Sequence, residues 1–534
     1  MAKQILYDVD ARNKLTGGMG QLAKAVKSTL GPTGKNVIID KKFGNPSSTK
    51  DGVSVSREVE LPDPFENMGA KIINEVATRT NDKVGDGTTT AVVLAEAMMR
   101  EGRKFVSAGI DAFAIQRGIR KAVAVVVDSI RDQSIAIKDF DAVRQVGEIS
   151  SNHDTLIGKL LAEAFEEVGD DGVITLEESK GVDTYLEVVQ GLQFDKGYIS
   201  PYFITNPAEM IAEYRDPTII FFEKKLTDLQ AFVPVLELAA QSGKPLVICA
   251  ENVEGDLLAA LVINKLQSVL KVVAVKSPGF GDRRKSLLED MAIMTGGKLI
   301  SEDLGLSFDK IDESYFGSAK KVTISKERTT IIDGGGKKRA VSDRIEQIDA
   351  QIEQTTSTYD KEKLLERKAK LAGGVGILHV GGRTETEMKE RKDRADDALH
   401  ATRAAVEEGI VPGGGTAYIR ALPALDDLRA RGDERYGVDV VRKALIAPLD
   451  QIATNCGLDG KEVVTEVRNK KGREGYDAKK GEYTNMVKAG IIDPAKVTIT
   501  ALESAASIAG LNLTTDVLVT DVPEKEEPSA GAET

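Results

Sequence analysis

The stretch Leu246-Val247-Ile248-Cys249-Ala250 is one of several short apolar runs in the middle of this 534-residue chain. Similar runs lie at 173–176, 219–222, 272–275 and 299–300. They are rich in β-branched residues and alternate with helical stretches, which is typical of α/β structure with parallel strands. The sequence therefore predicts an α/β region that begins near residue 170.

Helical periodicity flanks this region on both sides. Before it, apolar residues recur at helical spacing over 11–29, 68–81, 89–101 and 109–132, with a short strand at 36–40. A helical hairpin over 341–371 and a strand at 375–380 close the region, and a charged helix over 385–408 leads into mostly helical sequence. We expect a multidomain fold in which an α/β domain is inserted into a helical one.

Composition and charge exclude several classes of function. The chain has 72 Lys and Arg against 84 Asp and Glu, a net charge of −12, which disfavours nucleic acids and anionic membranes as partners. No apolar run reaches the roughly 18 residues that a membrane span needs. The start shows no export signal, which favours a cytoplasmic location. The two cysteines and three histidines lack metal-ligand spacing.

The strongest local signal is Val84-Gly85-Asp86-Gly87-Thr88-Thr89-Thr90-Ala91, which precedes a helical run at 92–99. A helix N-terminus offers unpaired N–H groups, glycines allow close approach, and threonine hydroxyls add donors, so the pattern favours phosphate. An aspartate in such a loop can hold Mg²⁺. The same pattern is also typical of a capped helix after a turn.

Four further motifs are weaker when each is taken alone. The segment 29–35 (TLGPTGK) ends a helix in a glycine turn and is not a Walker A loop. Lys50-Asp51-Gly52 is a polar turn that could simply enter a strand at 53–55. Asp396-Asp397 could be the solvated face of a helix, and Gly413-Gly414-Gly415 either a hinge or a close backbone approach.

The stretches 229–240 and 257–266 are too apolar for one buried stripe each. An exposed apolar ridge would indicate a binding surface. Helices buried against a sheet would give the same pattern, and that alternative stays open at this point.

Taken together, the motifs resemble the group I chaperonins of the bacterial GroEL type. The resemblance runs from about residue 3 to about 522 and rests on TLGPTGKNV, TKDGVSV, FENMGAK, NDKVGDGTTTA, SPYF, VKSPGFGDRRK, DALHATRAAVEEG, PGGG and Ile492-Asp493-Pro494. It implies a homo-oligomer of two stacked seven-membered rings. It also implies an equatorial domain (1–133 and 409–522), an intermediate domain (134–189 and 374–408), an apical domain (190–373) and a disordered acidic tail (523–534).

The resemblance also implies an ATPase that uses Mg²⁺ and K⁺. Asp86 would coordinate Mg²⁺, and Asp51 and Asp397 would position or activate the attacking water. Because Asp397 falls in the intermediate domain by this resemblance, closure of that domain would gate hydrolysis. The nucleotide-binding positions would be Thr29, Leu30, Gly31, Pro32, Lys50, Asp86, Gly87, Thr88, Thr89, Thr90, Gly414, Asp477, Ala478 and Asp493.

By the same resemblance, apical apolar residues would bind unfolded client proteins and then a GroES-type co-chaperonin. This implication favours the exposed ridge over helices buried against a sheet. The matching positions are Tyr198, Tyr202, Phe203, Val233, Leu236, Leu258, Val262, Ile263 and Asn264.

Two departures from the family pattern affect details. Asp477-Ala478-Lys479 stands where Asn-Ala-Ala is frequent, which puts the adenine contacts in question, and the chain end lacks a Gly-Gly-Met tail. A small-molecule kinase and a ring-forming paralogue with weak activity are the competing functions. The chain shows no substrate-pocket motif for the first, and intact Asp51, Asp86 and Asp397 argue against the second.

Overall fold

The computed structural model describes residues 2–40, 46–137, 140–151, 154–169, 172–179, 181–207, 209–301, 310–355 and 357–521. The chain forms two compact units, unit 1 from residues 1–162 and 382–534 and unit 2 from residues 163–381. Both chain ends therefore contribute to unit 1. The boundaries of the three expected domains stay a prediction, and the expected tail at 523–534 lies outside the described residues.

The first part of unit 1 is mostly helical, as predicted. The helices expected over 11–29, 68–81, 89–101 and 109–132 correspond to α1, α3, α4 and α5, and the strand expected over 36–40 is β2. In chain order the elements are β1 (Lys3–Tyr7), α1 (Asp8–Lys27), β2 (Val37–Ile39), β3 (Ser47–Thr49), α2 (Gly52–Glu58), α3 (Pro64–Val84), α4 (Thr88–Ser107), α5 (Ala112–Gln133), α6 (Phe140–Ser150) and α7 (Thr155–Val168).

The segment that follows Asp51 is a helix and not a strand, so the strand alternative for 53–55 is wrong. The Asp51 carboxylate accepts hydrogen bonds from the N–H groups of Val53 and Ser54, which caps the start of α2. Val53 and Val55 are buried in the core of unit 1. Burial and the cap thus outweigh the β propensity of valine.

Unit 2 contains the predicted α/β region. In chain order its elements after α7 are β4 (Val173–Glu178), β5 (Tyr185–Val189), β6 (Gly191–Phe194), β7 (Ala212–Arg215), β8 (Thr218–Phe222), α8 (Leu229–Ser242), β9 (Leu246–Ala250), α9 (Gly255–Leu266), β10 (Val272–Lys276), α10 (Gly281–Thr295), β11 (Leu299–Ile300), β12 (Gly317–Ile324), β13 (Thr329–Gly334), α11 (Lys338–Gln354), α12 (Thr358–Ala372) and β14 (Val375–Val380).

The main sheet of unit 2 is mixed. Its path is β10-β9-β8-β12-β13-β6, with β11 beside β8 and β7 beside β12. Strands β8, β9, β10 and β11 pair in parallel, as predicted from their apolar runs, since strands joined by crossover helices are covered on both faces. Strands β6, β7, β12 and β13 pair antiparallel and were not predicted. The expected helical hairpin is α11 and α12.

The second part of unit 1 begins with a long helix. Its elements are α13 (Glu385–Glu408), β15 (Ile410–Pro412), α14 (Thr416–Ala421), α15 (Glu434–Ala444), α16 (Ala447–Asn455), α17 (Gly460–Asn469), β16 (Glu474–Asp477), β17 (Glu482–Asn485), β18 (Ile492–Pro494), α18 (Ala495–Leu513) and β19 (Val517–Asp521). Strand β19 pairs with β1, and α18 packs on α4 and α5, so the two ends of the chain share one core.

Within the described ranges, none of the helices combines the length and the apolar character that crossing a bilayer would require.

Candidate functional site

The loop between α3 and α4 has a backbone geometry that suits the binding of an anion. Gly85 ends α3 and Gly87 precedes α4, both at positive φ (66° and 75°). Helices α2, α3 and α5 are capped by the carboxylates of Asp51, Asp63 and Asp111, whereas Gly87 gives α4 no side-chain cap. The first N–H groups of α4 therefore remain available to an anion.

Two other predicted segments lie against the threonines of this loop. The Thr29 hydroxyl is 3.4 Å from the Thr89 hydroxyl. A Cβ on Gly52 would overlap Thr89 Oγ1 and lie 3.1 Å from Thr88 Oγ1, so Asp51 and Gly52 approach the start of α4 closely. The end of α1, the start of α2 and the start of α4 therefore form one site.

The turn after α1 is held in place by the second part of the chain. The Asn455 side-chain amide donates hydrogen bonds to the carbonyls of Lys27 (3.0 Å) and Leu30 (2.8 Å). Gly31 has a φ of 85°, and a Cβ there would lie 3.2 Å from Ile452 of α16. This turn carries four of the predicted binding positions, Thr29 to Pro32, and Pro32 is exposed.

Asp493 lies beside the glycine run. Strand β18 pairs Asp493 with Val411 of β15, the strand that leads into Gly413. The Gly414 N–H donates to the Asp493 carboxylate. A Cβ on Gly413 would lie 3.0 Å from Asp493 Oδ1. The glycines at 413 and 414 thus permit a close backbone approach, and the hinge alternative is not needed to explain them.

Asp477 is buried, and its carboxylate forms the turn after β16. Oδ1 accepts hydrogen bonds from the N–H groups of Lys479 (2.9 Å) and Lys480 (3.1 Å). The neighbouring Ala478 carbonyl accepts from the Cys456 thiol at 3.7 Å, and that thiol is 3.0 Å from the Thr33 hydroxyl. Ala478 therefore lies near the turn after α1, while Asp477 is occupied by its own backbone.

Asp397 lies close enough to the loop to interact electrostatically with its carboxylate. Burial, followed by the charges of Asp86 and Asp51, raises the pKa of Asp397 well above its ordinary value. Burial also raises the pKa of Asp86, against hydrogen bonds from Gly87 and Ser150 that lower it. The structure therefore brings Asp51, Asp86 and Asp397 together within unit 1, and the expected closing movement stays a prediction.

Asp493 belongs to the same group of carboxylates. Burial and the charge of Asp86 raise the pKa of Asp493 to about 7. In the described part of the chain, none of Asp86, Asp397 and Asp493 forms an ion pair with Lys or Arg. Mutually repelling carboxylates beside free N–H groups are suited to a cation that carries an anion with it.

The side chains present fit a Mg²⁺ ion that takes some of its ligands from the protein and the others from a phosphate. Within the described ranges, no three carboxylate, imidazole or thiol side chains are grouped to hold a metal by themselves. Mg²⁺ commonly takes one or two protein carboxylates and completes its octahedron with phosphate oxygens and water. Asp86, in the loop itself, would be that carboxylate.

Lys50 is the predicted binding residue that these contacts do not include. It is exposed, and no described hydrogen bond or ion pair joins it to the site. The sequence reasoning in turn missed three residues. Ser150 donates to Asp86 Oδ2 at 3.2 Å, Asn455 holds the turn after α1, and His400 lies on Gly85. Of these three residues, only His400 lies in a motif that the sequence analysis had quoted, DALHATRAAVEEG.

In unit 2, the predicted client-binding positions differ in their exposure, and the binding role of those at the surface stays a prediction. Tyr202 is 64% exposed and Ile263 is 51% exposed. Val233 and Leu236 on α8, and Leu258, Val262 and Asn264 on α9, are half-buried. Helix α9 contacts α8 and the short turn Pro201–Phe203, and the Lys265 ammonium donates to the Ile204 carbonyl at 2.8 Å. We call Tyr202, Val233, Leu236, Leu258, Val262 and Ile263 the apolar ridge.

Two predicted surface residues are corrected. Phe203 is fully buried and Tyr198 is 9% exposed, and both belong to the core of unit 2. In the turn Pro201–Phe203 neighbouring side chains diverge, so Tyr202 points out where Phe203 anchors the turn. The family motif places these residues together in sequence but does not distinguish the anchor from the exposed side chain.

Two cavities lie away from the candidate site and contain none of its predicted residues. The larger, about 760 Å³, is lined by Arg117, Lys121, Arg429, Arg431 and the acidic pair Asp433 and Glu434. Glu434 pairs with Lys121 at 2.6 Å and with Arg117 at 3.4 Å. The second, about 410 Å³, lies in unit 2 beside Lys244 and Lys320.

Comparison with known proteins identifies the family. Residues 22–233 and 229–523 match the model of the TCP-1/cpn60 chaperonin family. Since these matches cover nearly the whole chain, the protein belongs to the TCP-1/cpn60 chaperonin family. Membership supports a role as a protein-folding chaperone.

Solved structures agree with this fold. One match is the crystal structure of the chaperonin gp146 from the bacteriophage EL 2 (Pseudomonas aeruginosa), in the presence of ATP-BeFx. The TM-score is 0.70 at 22% sequence identity, and the alignment covers 97% of this chain and 99% of that chain. The two proteins therefore share their fold over essentially their whole lengths.

Proposed function

We propose that this protein is an ATP-dependent chaperonin of the group I type. It binds ATP with Mg²⁺ at the loop between α3 and α4, and K⁺ assists. It hydrolyses ATP to ADP and phosphate, and uses the cycle to capture and release non-native proteins. The observation that carries the proposal is the group of Asp86, Asp397 and Asp493 beside the uncapped start of α4, which form no ion pair with Lys or Arg among the described residues.

The chemistry follows from these groups. Mg²⁺ held by Asp86 supplies positive charge to the phosphates. The N–H groups and hydroxyls at 88–90 bind phosphate oxygens, and Asp493 with the glycine at 414 is placed to contact the rest of the nucleotide. Asp397 and Asp51 hold and orient the attacking water. Phosphoryl transfer needs charge neutralisation and alignment more than covalent chemistry, so these parts are sufficient.

The raised pKa of Asp397 gives it a defined role in this scheme. Burial and the neighbouring carboxylates raise the pKa of this carboxyl because they disfavour its ionised form. A Mg²⁺ ion held by Asp86 would oppose that repulsion, and Asp397 in its ionised form could then accept a proton from water. Substrate binding thereby activates its own base.

The apolar ridge serves clients. Non-native proteins share exposed apolar surface and no particular sequence, so an apolar ridge recognises them by that property. A co-chaperonin of the GroES type would bind the same ridge and displace the client. A double seven-membered ring would place many ridges around one cavity, and the net charge of −12 suits work in the cytoplasm on proteins and not on nucleic acids.

One experiment tests the proposed function directly. A chemically denatured enzyme is refolded with the purified chain, ATP and Mg²⁺, with and without a GroES-type co-chaperonin, while native mass measures the particle. We expect ATP-dependent recovery of activity by a ring-sized particle. Stable rings that hydrolyse no ATP and give no recovery would instead identify a ring-forming paralogue.

A further inference from the structure

The contact between His400 and Gly85 joins α13 to the candidate phosphate loop. A Cβ on Gly85 would lie 2.6 Å from His400 Cδ2 and closer still to Cβ and Cγ of the same side chain. The His400 ring therefore lies directly on the backbone of Gly85, one residue before Asp86. Positive φ is one reason for glycine at this position, and this close packing is a second, independent reason.

The spacing along α13 links this contact to Asp397. Residues three and four apart share a face of a helix, so Asp397, His400 and Ala404 lie on one face. Ala404 packs with Val84 and Val497 in a small buried cluster. The face that carries Asp397 is thus fixed against the loop at two points on its C-terminal side.

The imidazole contributes shape as well as charge, since the charge of His400 lowers the pKa of Asp86. Its Nε2 atom is 3.8 Å from Asp396 Oδ1, which is beyond hydrogen-bond distance. The ring fills the space over Gly85, and a smaller side chain would leave α13 without support one turn from Asp397. A bulkier residue in place of Gly85 would push α13 away.

We propose that His400 is a positioning residue, which, by packing on Gly85, sets how closely α13 brings Asp397 to the attacking water. This inference rests on the proposed ATPase function and adds a residue to it. A displacement of about 1 Å can cost a reaction roughly 10²-fold, so the packing of a single ring is sufficient to control turnover.

The test uses Gly85→Ala, His400→Ala and the double variant Gly85→Ala/His400→Gly, with single-turnover ATP hydrolysis and ATP affinity measured separately. We expect Gly85→Ala to lower hydrolysis about 10²-fold with ATP affinity changed less than about threefold. His400→Gly in the double variant removes Cβ together with the ring, which are the atoms that a Cβ on Gly85 would overlap, so at least tenfold of the loss should return. His400→Ala alone should lower kcat several-fold at nearly constant KM.

Gly109→Ala is the matched control. Gly109 also has positive φ (84°), but nothing lies within 4 Å of a Cβ there, so this variant has the backbone strain without the overlap. It should hydrolyse ATP like the wild type. A double variant as slow as Gly85→Ala would overturn the packing role, since strain alone would then explain the loss.

The His400→Phe variant tests the packing role even if the Gly85→Ala variant does not fold. Phenylalanine keeps a flat ring and removes both nitrogens, so it should retain more activity than His400→Ala if packing is the role. Equal losses in both variants would contradict it. Absence of ATP hydrolysis in the wild type would instead refute the proposed function, so the two failures are distinct.

Discussion

Units 1 and 2 differ in whether their inward-facing carboxylates are paired with Lys or Arg. In unit 1, Asp86, Asp397 and Asp493 lie beside one another without an ion pair to Lys or Arg among the described residues, and their pKa values are raised. In unit 2, the buried carboxylate of Asp290 accepts hydrogen bonds from Arg344 (2.7 Å) and Arg367 (2.7 and 3.0 Å).

The difference indicates what each unit is built to bind. A fully paired carboxylate such as Asp290 stabilises α10 against the hairpin of α11 and α12, and leaves nothing for a ligand. The carboxylates of unit 1 instead disfavour one another's ionised forms, and a bound cation would relieve that repulsion. Unit 2 instead leaves apolar surface uncovered on its ridge. Under the proposed function, unit 1 would bind a cation with its nucleotide and unit 2 would bind an apolar client.

The largest effect should come from removing an unpaired carboxylate. Asp397→Ala should reduce ATP hydrolysis roughly 10³-fold, as expected for loss of a general base. ATP binding should remain nearly intact because the group acts mainly in the transition state. Single-turnover hydrolysis and equilibrium binding measure the two effects. Glu390→Ala, which removes an exposed carboxylate from α13, is the control, and unchanged turnover in Asp397→Ala would refute the role.

The second prediction concerns the paired carboxylate. Asp290→Ala removes the carboxylate that pairs with the buried Arg367 guanidinium, while Arg344 keeps Glu289 at 2.9 Å, and should destabilise unit 2 by about 3–5 kcal/mol. Asp349→Ala breaks only the half-exposed pair with Lys368 (2.7 Å) between α11 and α12, and should cost less than about 1 kcal/mol. Denaturant unfolding measures both. Similar costs would show that the distinction between the two pairs is wrong.

Much of the fold of both units could be predicted from the sequence. Helical spacing and apolar runs gave the helices of unit 1 and the parallel strands of unit 2, because both depend on local periodicity. The antiparallel strands were missed because the prediction relied on continuous apolar runs, whereas β7 and β12 alternate buried and more exposed residues. Helix α2 was missed because its start depends on the Asp51 cap. The Arg344 and Arg367 pairing with Asp290 spans over 50 residues, and nothing local marks it.

The candidate site shows the same limit. The motifs that carry the resemblance named residues that the structure brings together, including Asp51, Asp86, Asp397 and Asp493. They did not show that Asp477 is occupied by its own turn, or that Phe203 is an anchor where Tyr202 is exposed. Which side chain of a motif faces solvent depends on packing with distant segments, and a single sequence does not encode that in a readable pattern.

The third prediction tests what unit 2 leaves uncovered. Tyr202→Glu places a charge on the apolar ridge and should abolish capture of a denatured protein, at least a tenfold loss of affinity, because a client would have to desolvate the carboxylate. ATP hydrolysis should survive. Tyr359→Glu is the control, since Tyr359 is similarly exposed (61%) in unit 2 but lies on α12. Capture that persists in Tyr202→Glu would refute the ridge.

The smallest expected effect is a pH dependence of thermal stability, which tests whether Asp493 belongs to the unpaired carboxylates of unit 1. The pKa of Asp493 is about 7 in the folded protein and near 3.9 when unfolded, so the folded state holds this proton more tightly. Its stabilising contribution is complete below about pH 4 and is lost as the pH rises through 7. Asp493→Asn should therefore melt higher than the wild type at pH 8.5, by roughly 2–4 °C, and by a smaller margin at pH 5, where most of the contribution is still present. Asp128→Asn, which removes an exposed carboxylate, should show no such divergence.

A difference between Asp493→Asn and the wild type that stays constant from pH 5 to 8.5 would mean that Asp493 is ionised throughout. In that case the unpaired carboxylates of unit 1 would not include it.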